Sequence, residues 1–189
     1  MGLKLAKKNR KPKVTKIIPI KIVLLGDAEV GKTAICNIFF GMDYPDLYLA
    51  SIGHDKIEKR YELNDGEITK LIIWDTPGQE RFHSSSLKAI NPRVGGCVLV
   101  FDVTNRKSFD NLERWLTEIK EKNENIIIFL FGNKIDIDKE KWAVKEEEIE
   151  EFAKRKGLQY YGVSAKHNMN INYGFDDLAN KIHDKLKQK

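Results

Sequence analysis

The sequence predicts a three-layer α/β domain from about residue 17 to the end, with a mostly parallel sheet as its middle layer. Three observations carry that expectation. Short unbroken apolar runs, rich in branched or aromatic residues, read as strands buried on both faces. Segments between them repeat apolar residues at intervals of three and four, the spacing of an amphipathic helix. One segment alternates strictly and closes on a tight turn, which reads as a hairpin.

In chain order, the first buried run is Ile22 to Leu25, which leads into a glycine-bearing loop and a helix. The hairpin follows. From Lys56 to Glu62, Ile57 and Tyr61 face one way, and Lys56, Glu58, Arg60 and Glu62 the other. Asn64-Asp65-Gly66 supplies the turn, and Ile68 to Trp74 forms the returning strand. Cys97 to Phe101 and Ile126 to Phe131 are the next buried runs, with Phe109, Leu112, Leu116 and Ile119 marking a helix between them. Ile149, Phe152 and Ala153 stripe an acidic helix that starts near Lys145. Phe175, Leu178, Ala179, Ile182 and Leu186 stripe the last helix, and a sixth strand leads into Val163. No repeat and no second domain is visible.

The 189 residues are 41% hydrophobic, enough for a sizeable core, and 32% charged, somewhat above the usual quarter. No run approaches the length of a membrane span, and no stretch reads as a secretory signal. Cys36 and Cys97 lie inside apolar runs and read as reduced core residues of an intracellular protein. The net charge of +5 is unevenly spread. Residues 1–16 hold seven Lys and Arg and no acid, which leaves about −2 on residues 17–189. Residues 1–16 are therefore expected to form a basic, solvated arm. Contact with an anionic membrane is the sharper reading, each cation being worth ~1 kcal/mol there. Nucleic acid is not favoured, because the arm has no aromatic residue for bases to stack on. His54, His83, His167 and His183 show no metal-binding spacing, and Trp115 and Trp142 read as packing or surface residues.

Ligands of such sheets bind beyond the carboxyl ends of the strands, so those ends carry the chemistry. The first ends in Gly26-Asp27-Ala28-Glu29-Val30-Gly31-Lys32-Thr33, which fits G-x-x-x-x-G-K-[ST]. Backbone N–H groups of such a loop wrap a phosphate, the following helix offers its N-terminus, and Lys32 supplies a point charge. Thr33 would place its hydroxyl on magnesium. The hairpin's second strand ends at Asp75, an acid at the mouth of a buried strand, which needs a counter-charge. Magnesium on the phosphates is the natural one. The fifth strand ends in Asn133-Lys134-Ile135-Asp136. A carboxylate there can accept from both N1–H and N2–H of guanine, a pair that adenine lacks. Val163-Ser164-Ala165-Lys166 closes the set.

With these motifs in order, the chain resembles the Ras superfamily of small GTPases, and the Rab family most closely, over about residues 17 to 186. GDAEVGKT resembles the phosphate loop, SIGHD the Rab switch I segment, WDTPGQERF the switch II entrance, NKID the guanine-reading motif and VSAK the last nucleotide loop. FDVTNRKSFDNLERWLTEI also follows the Rab pattern. The resemblance implies a P-loop G domain with a six-stranded, mostly parallel sheet, one antiparallel edge strand and helices on both faces. It implies binding of GTP/GDP with Mg2+ and hydrolysis of GTP, in vesicle trafficking.

Roles carry over by position. Lys32 would bridge the β- and γ-phosphates; Thr33 and Ser51 would coordinate Mg2+ directly, and Asp75 through water. Glu29, Val30, Gly31 and Ala34 would line the phosphate site. Gly78 would offer its N–H to the γ-phosphate and Gln79 would orient the attacking water. Tyr44 would stack on the base edge. Asn133 and Asp136 would read guanine, Lys134 would cover its plane, Ala165 would donate to its oxygen, and Ser164 and Lys166 would complete that loop.

Several positions depart from the family. Ser51 replaces threonine in switch I, which should leave the GTP state less firmly ordered, and Ala28 stands where glycine or serine is commoner, so hydrolysis should be slow. Pro77 replaces alanine; its fixed φ should stiffen the hinge into switch II. Lys56 and Ala89 replace two of three aromatic anchors read by Rab partners, with Trp74 remaining, so standard Rab effectors should bind poorly. No cysteine follows Cys97, whereas Rabs end in prenylated cysteines: the tail is either cut from this sequence or absent. Met1-Gly2 with the basic arm suggests N-myristoylation, though Ala6 occupies the Ser/Thr position.

The expected partners are an exchange factor, a GTPase-activating protein and effectors, acting on a monomer in the cytoplasm or on the cytoplasmic face of an endomembrane. No internal arginine finger can be named, so an activating partner worth ~10³–10⁵ in rate is expected. A guanine-nucleotide module with little or no turnover, acting as a constitutive partner-binding protein, is the alternative, toward which Ala28, Ser51 and Pro77 lean. A P-loop kinase or adenine-specific NTPase is the third reading, against which NKID argues.

Overall fold

The computed structural model describes residues 18–42, 55–76, 87–88 and 90–188. Six strands form one sheet: β1 Ile20–Leu25, β2 Asp55–Glu62, β3 Ile68–Asp75, β4 Gly96–Asp102, β5 Ile127–Asn133 and β6 Gln159–Gly162. Their spatial order is β2-β3-β1-β4-β5-β6. Only β2 and β3 pair antiparallel; every other neighbour is parallel. The helices are α1 Lys32–Phe39, α2 Arg106–Asp110, α3 Leu112–Lys122, α4 Glu146–Lys156 and α5 Ile171–Lys187. This is the three-layer domain that the apolar runs predicted.

Each buried run serves both faces, because successive strand residues point to opposite sides. Ile22 and Leu24 of β1 join a core with Phe129, Phe131, Phe175, Leu178 and Ile182, whereas Val23 and Leu25 join Leu99, Phe101, Phe109, Trp115 and Phe152. Cys36 lies in the first core and Cys97 in the second, both as buried free thiols. Burial pushes the Cys97 thiol up. Burying each of the large side chains stabilises by about 1.5–3 kcal/mol.

The edge strand β2 has the alternation expected of it, with one difference. Lys56, Glu58, Arg60 and Glu62 are exposed, and Ile57, Lys59 and Tyr61 are half-buried. Lys59 lies on the inner side: its ammonium sits 3.7 Å from the centre of the Phe39 ring and donates to the Phe39 carbonyl at 2.9 Å. The turn forms at Gly66, whose φ of 78° suits glycine, and its N–H bonds the Leu63 carbonyl at 2.9 Å.

The stripe from Phe109 to Ile119 proves to be two helices. Asn111 separates α2 from α3 at φ −75° and ψ −9°. Its side chain leaves the helix surface to donate to Asp27 at 2.6 Å. Apolar spacing runs through the joint, so it does not reveal the break. α4 has acids in its first turn and bases in its last, complementing its dipole, and ends at Gly157 with φ 65°. The sixth strand stops at Gly162, so Val163–Lys166 is loop, closed by a bridge between Ser164 and Met169. Residues 1–16, with the arm and Gly2, lie outside the described residues. Among those described, no helix is long and apolar enough to cross a membrane.

Candidate functional site

The carboxyl ends of β1, β3, β5 and β6 assemble one site. Gly26 to Gly31 loops from β1 into α1, and α1 opens on Lys32. Gly31 has φ 95°, and a Cβ there would meet the Asn133 amide nitrogen at 2.2 Å, so only glycine serves. Lys32 is buried beneath the loop and donates to the carbonyls of Gly26 at 3.0 Å and Asp27 at 2.7 Å. Burial pushes its ammonium down to about 8, opposed by the charges of Asp75 and Asp27. Glu29 is exposed and holds φ 64°, a conformation that glycine adopts without strain.

Thr33 and Asp75 meet, although 42 residues apart: the threonine hydroxyl donates to the carboxylate at 2.6 Å. Asp75 is 2% exposed at the end of β3. Two hard oxygen donors converging beside a phosphate loop fit Mg2+, which favours carboxylate, hydroxyl and phosphate oxygens. Thr76, not singled out from the sequence, is also buried, and its hydroxyl bonds the Leu24 carbonyl at 2.7 Å, fastening the end of β3 to β1.

Asn133 joins three motifs. Its amide donates to the Val30 carbonyl at 2.8 Å and its oxygen accepts from the Ala165 N–H at 3.2 Å. The Ala165 N–H expected on the guanine oxygen is therefore on Asn133 here. Ser164, fully buried, donates to Asp136 at 2.6 Å and accepts from the His167 N–H at 3.1 Å, which fixes the carboxylate. Lys134 has φ 72° and its ammonium pairs with Asp102 at 2.5 Å. Ala34 is half-buried on α1, packed against the core, and Lys166 is exposed. Tyr44, Ser51, Gly78 and Gln79 lie outside the described residues, as do Pro77, Ala89, His54 and His83. Lys56 stands opposite Trp74 in the β2–β3 register.

The structure adds residues that the motifs did not announce. Asp27 accepts from the Trp115 indole at 2.8 Å as well as from Asn111, so Trp115 positions the phosphate loop besides packing. Trp142 donates to the Ile137 carbonyl at 2.8 Å and braces the loop behind Asp136. Asp102 holds Lys134 from one oxygen and Thr104 from the other. One sequence signal existed for Asp27: an acid inside an anion-binding loop calls for dedicated donors.

The model of the Ras family matches residues 21–184. Among curated proteins, the chain is similar to "Ras-related protein Rab-10" of Caenorhabditis elegans, 39% identical over 163 residues, covering 86% of this chain and 80% of that protein. It is also similar to "Ras-related protein Rab-26" of Rattus norvegicus, 37% identical over 167 residues, covering 87% of this chain and 64% of that protein. A yeast relative, "Ypt/Rab-type GTPase YPT7" of Saccharomyces cerevisiae, is 34% identical over 166 residues, covering 85% of this chain and 79% of that protein.

Proposed function

Because the chain belongs to the Ras family, on its Rab-like side, and is a GTP-hydrolysing small GTPase of membrane trafficking, we propose that it is a slow, Mg2+-dependent switch. The observation that carries the proposal is the Asn133 clamp, which ties the phosphate loop at Val30 to the guanine-side loop at Ala165. Phosphate and base are then held by one rigid corner of the sheet.

In this reading Lys32 moves from the loop carbonyls to the β- and γ-phosphates, and the N–H groups from Glu29 to Ala34 wrap them. Thr33 and Ser51 would hold the ion directly and Asp75 through water, and the ion would supply positive charge against the developing phosphate charge. Gln79 orients water and Gly78 senses the γ-phosphate. Asp136, fixed by Ser164, reads guanine between Lys134 and Tyr44, with Lys166 at the rim. Slow turnover follows from Ala28, beside the space that Gln79 and an activator's arginine need. Partners meet the switch regions, and Lys56 opposite Trp74 disfavours effectors that require an aromatic cluster there. The basic arm adds an anionic membrane contact, and the switch works as a monomer on a cytoplasmic membrane face.

The test is nucleotide content of the purified protein, then single-turnover GTP hydrolysis with and without Gln79→Leu. Bound GDP and hydrolysis that falls in the variant support the switch. Retained GTP without turnover supports a constitutive binding module, and preference for ATP rejects both.

A further inference from the structure

The opposite end of the sheet carries a cavity. It has a volume of about 300 Å3 and lies at the amino ends of β1 and β4, against the last turns of α5. Pro19, Ile182 and Leu186 give it apolar walls, and Lys21, Arg93 and Lys185 line it with three cations. Among the described residues its lining contains no acid. Lys185 is held on the wall by donating to the Asn125 carbonyl at 2.5 Å, which leaves two N–H groups. Among the described residues no carboxylate pairs with Lys21, Arg93 or Lys185, although both other lysines on α5 have one: Lys181 pairs with Asp177, and Lys187 with Asp65 and Glu67.

We propose that this cavity is a binding site for the phosphate headgroup of an anionic membrane lipid. Three cations over an apolar floor suit a phosphate joined through glycerol to hydrocarbon acyl chains. The chain enters the fold at Ile18, an exposed residue on the cavity rim, and the sequence before it carries seven cations within residues 1–16. That arm cannot be the occupant, since it would bring positive charge to positive charge. A membrane surface neutralises arm and cavity together, whereas an acidic peptide would have to match both. The site rests on the reading of the chain as a peripheral membrane switch.

The test uses the full chain loaded with GDP and vesicles of phosphatidylcholine, alone or with phosphatidic acid or phosphatidylserine. The triple variant Lys21→Gln, Arg93→Gln, Lys185→Gln should lose about fivefold per residue, roughly a hundredfold together, on phosphatidic acid. Its GDP binding should match wild type, which reports on folding. Neutralising Lys7, Lys8, Lys11 and Lys13 instead should weaken binding to both anionic vesicles alike. A triple variant that binds like wild type while the arm variant fails would overturn the cavity and leave the membrane reading standing. Wild-type protein that sediments with no vesicle would overturn both, without touching the GTPase assignment. Full competition by soluble glycerol 3-phosphate, or tight binding to an acidic peptide but not to vesicles, would also overturn the lipid site.

Discussion

The indole nitrogen of Trp115 donates to the carboxylate of Asp27 across 2.8 Å, linking α3 to the phosphate loop 88 residues earlier. A donor on an ionised acceptor is among the stronger hydrogen bonds. With Asn111 it gives both Asp27 carboxylate oxygens a donor inside a loop suited to anions. Trp115→Phe keeps a ring in the core and removes the donor. Unfolding should become easier by about 1.5–3 kcal/mol, and a fluorescent GDP analogue should dissociate several times faster. Unchanged release would show that the loop is held without the indole, by Asn111, Lys32 and Asn133.

Asn133→Ala removes the clamp from two buried groups at once, the Val30 carbonyl and the Ala165 N–H. Each orphaned group costs about 1–3 kcal/mol. The variant should purify with little nucleotide and melt well below wild type in thermal denaturation. Restoration by excess GDP to the wild-type melting temperature would contradict a role in holding the two loops together.

Glu29→Gly relaxes a left-handed residue and removes an acid from the phosphate loop. The strain of that conformation is roughly 1 kcal/mol. The variant should be slightly more stable and bind GDP more tightly, by a few-fold in calorimetry. Weaker binding would mean that the carboxylate itself contributes to the site.

Asp65 ties the β2–β3 turn to α5, accepting from Lys187 at 2.6 Å and facing His183 at 3.0 Å. Lys187, aided by the Glu67 N–H, holds the Asp65 carboxyl well below the usual carboxylate range. A depressed carboxyl stabilises the fold fully above its unfolded value of about 3.9 and loses that contribution as pH falls further. Wild type should therefore melt above Asp65→Asn at pH 7, with the gap closing below about pH 4. A gap that stays constant to pH 2 would show that the contact is not ionic.

The buried runs and the hairpin were legible because double burial and half exposure leave different local patterns, seen in Ile22–Leu25 against Lys56–Glu62. The motifs at strand ends were legible because each sits within a few consecutive residues. What stayed hidden depends on pairs distant in sequence. Asp27 with Trp115, Thr76 with the Leu24 carbonyl, and Lys134 with Asp102 are brought together only by the parallel sheet. The break at Asn111 was hidden for another reason: its cause is a side-chain contact to Asp27, and the apolar spacing continues across it.

The length of β4 has a consequence for signalling. Its seven residues span roughly 20 Å between the cationic cavity and the nucleotide corner. Salt at physiological strength screens exposed charges over about 8 Å. A lipid phosphate at Lys21 and Lys185 therefore acts only weakly through solvent on the phosphates at Lys32. Docking at one end would then alter exchange or hydrolysis at the other chiefly through movement of β1, β4 or α5, the elements that join the two ends.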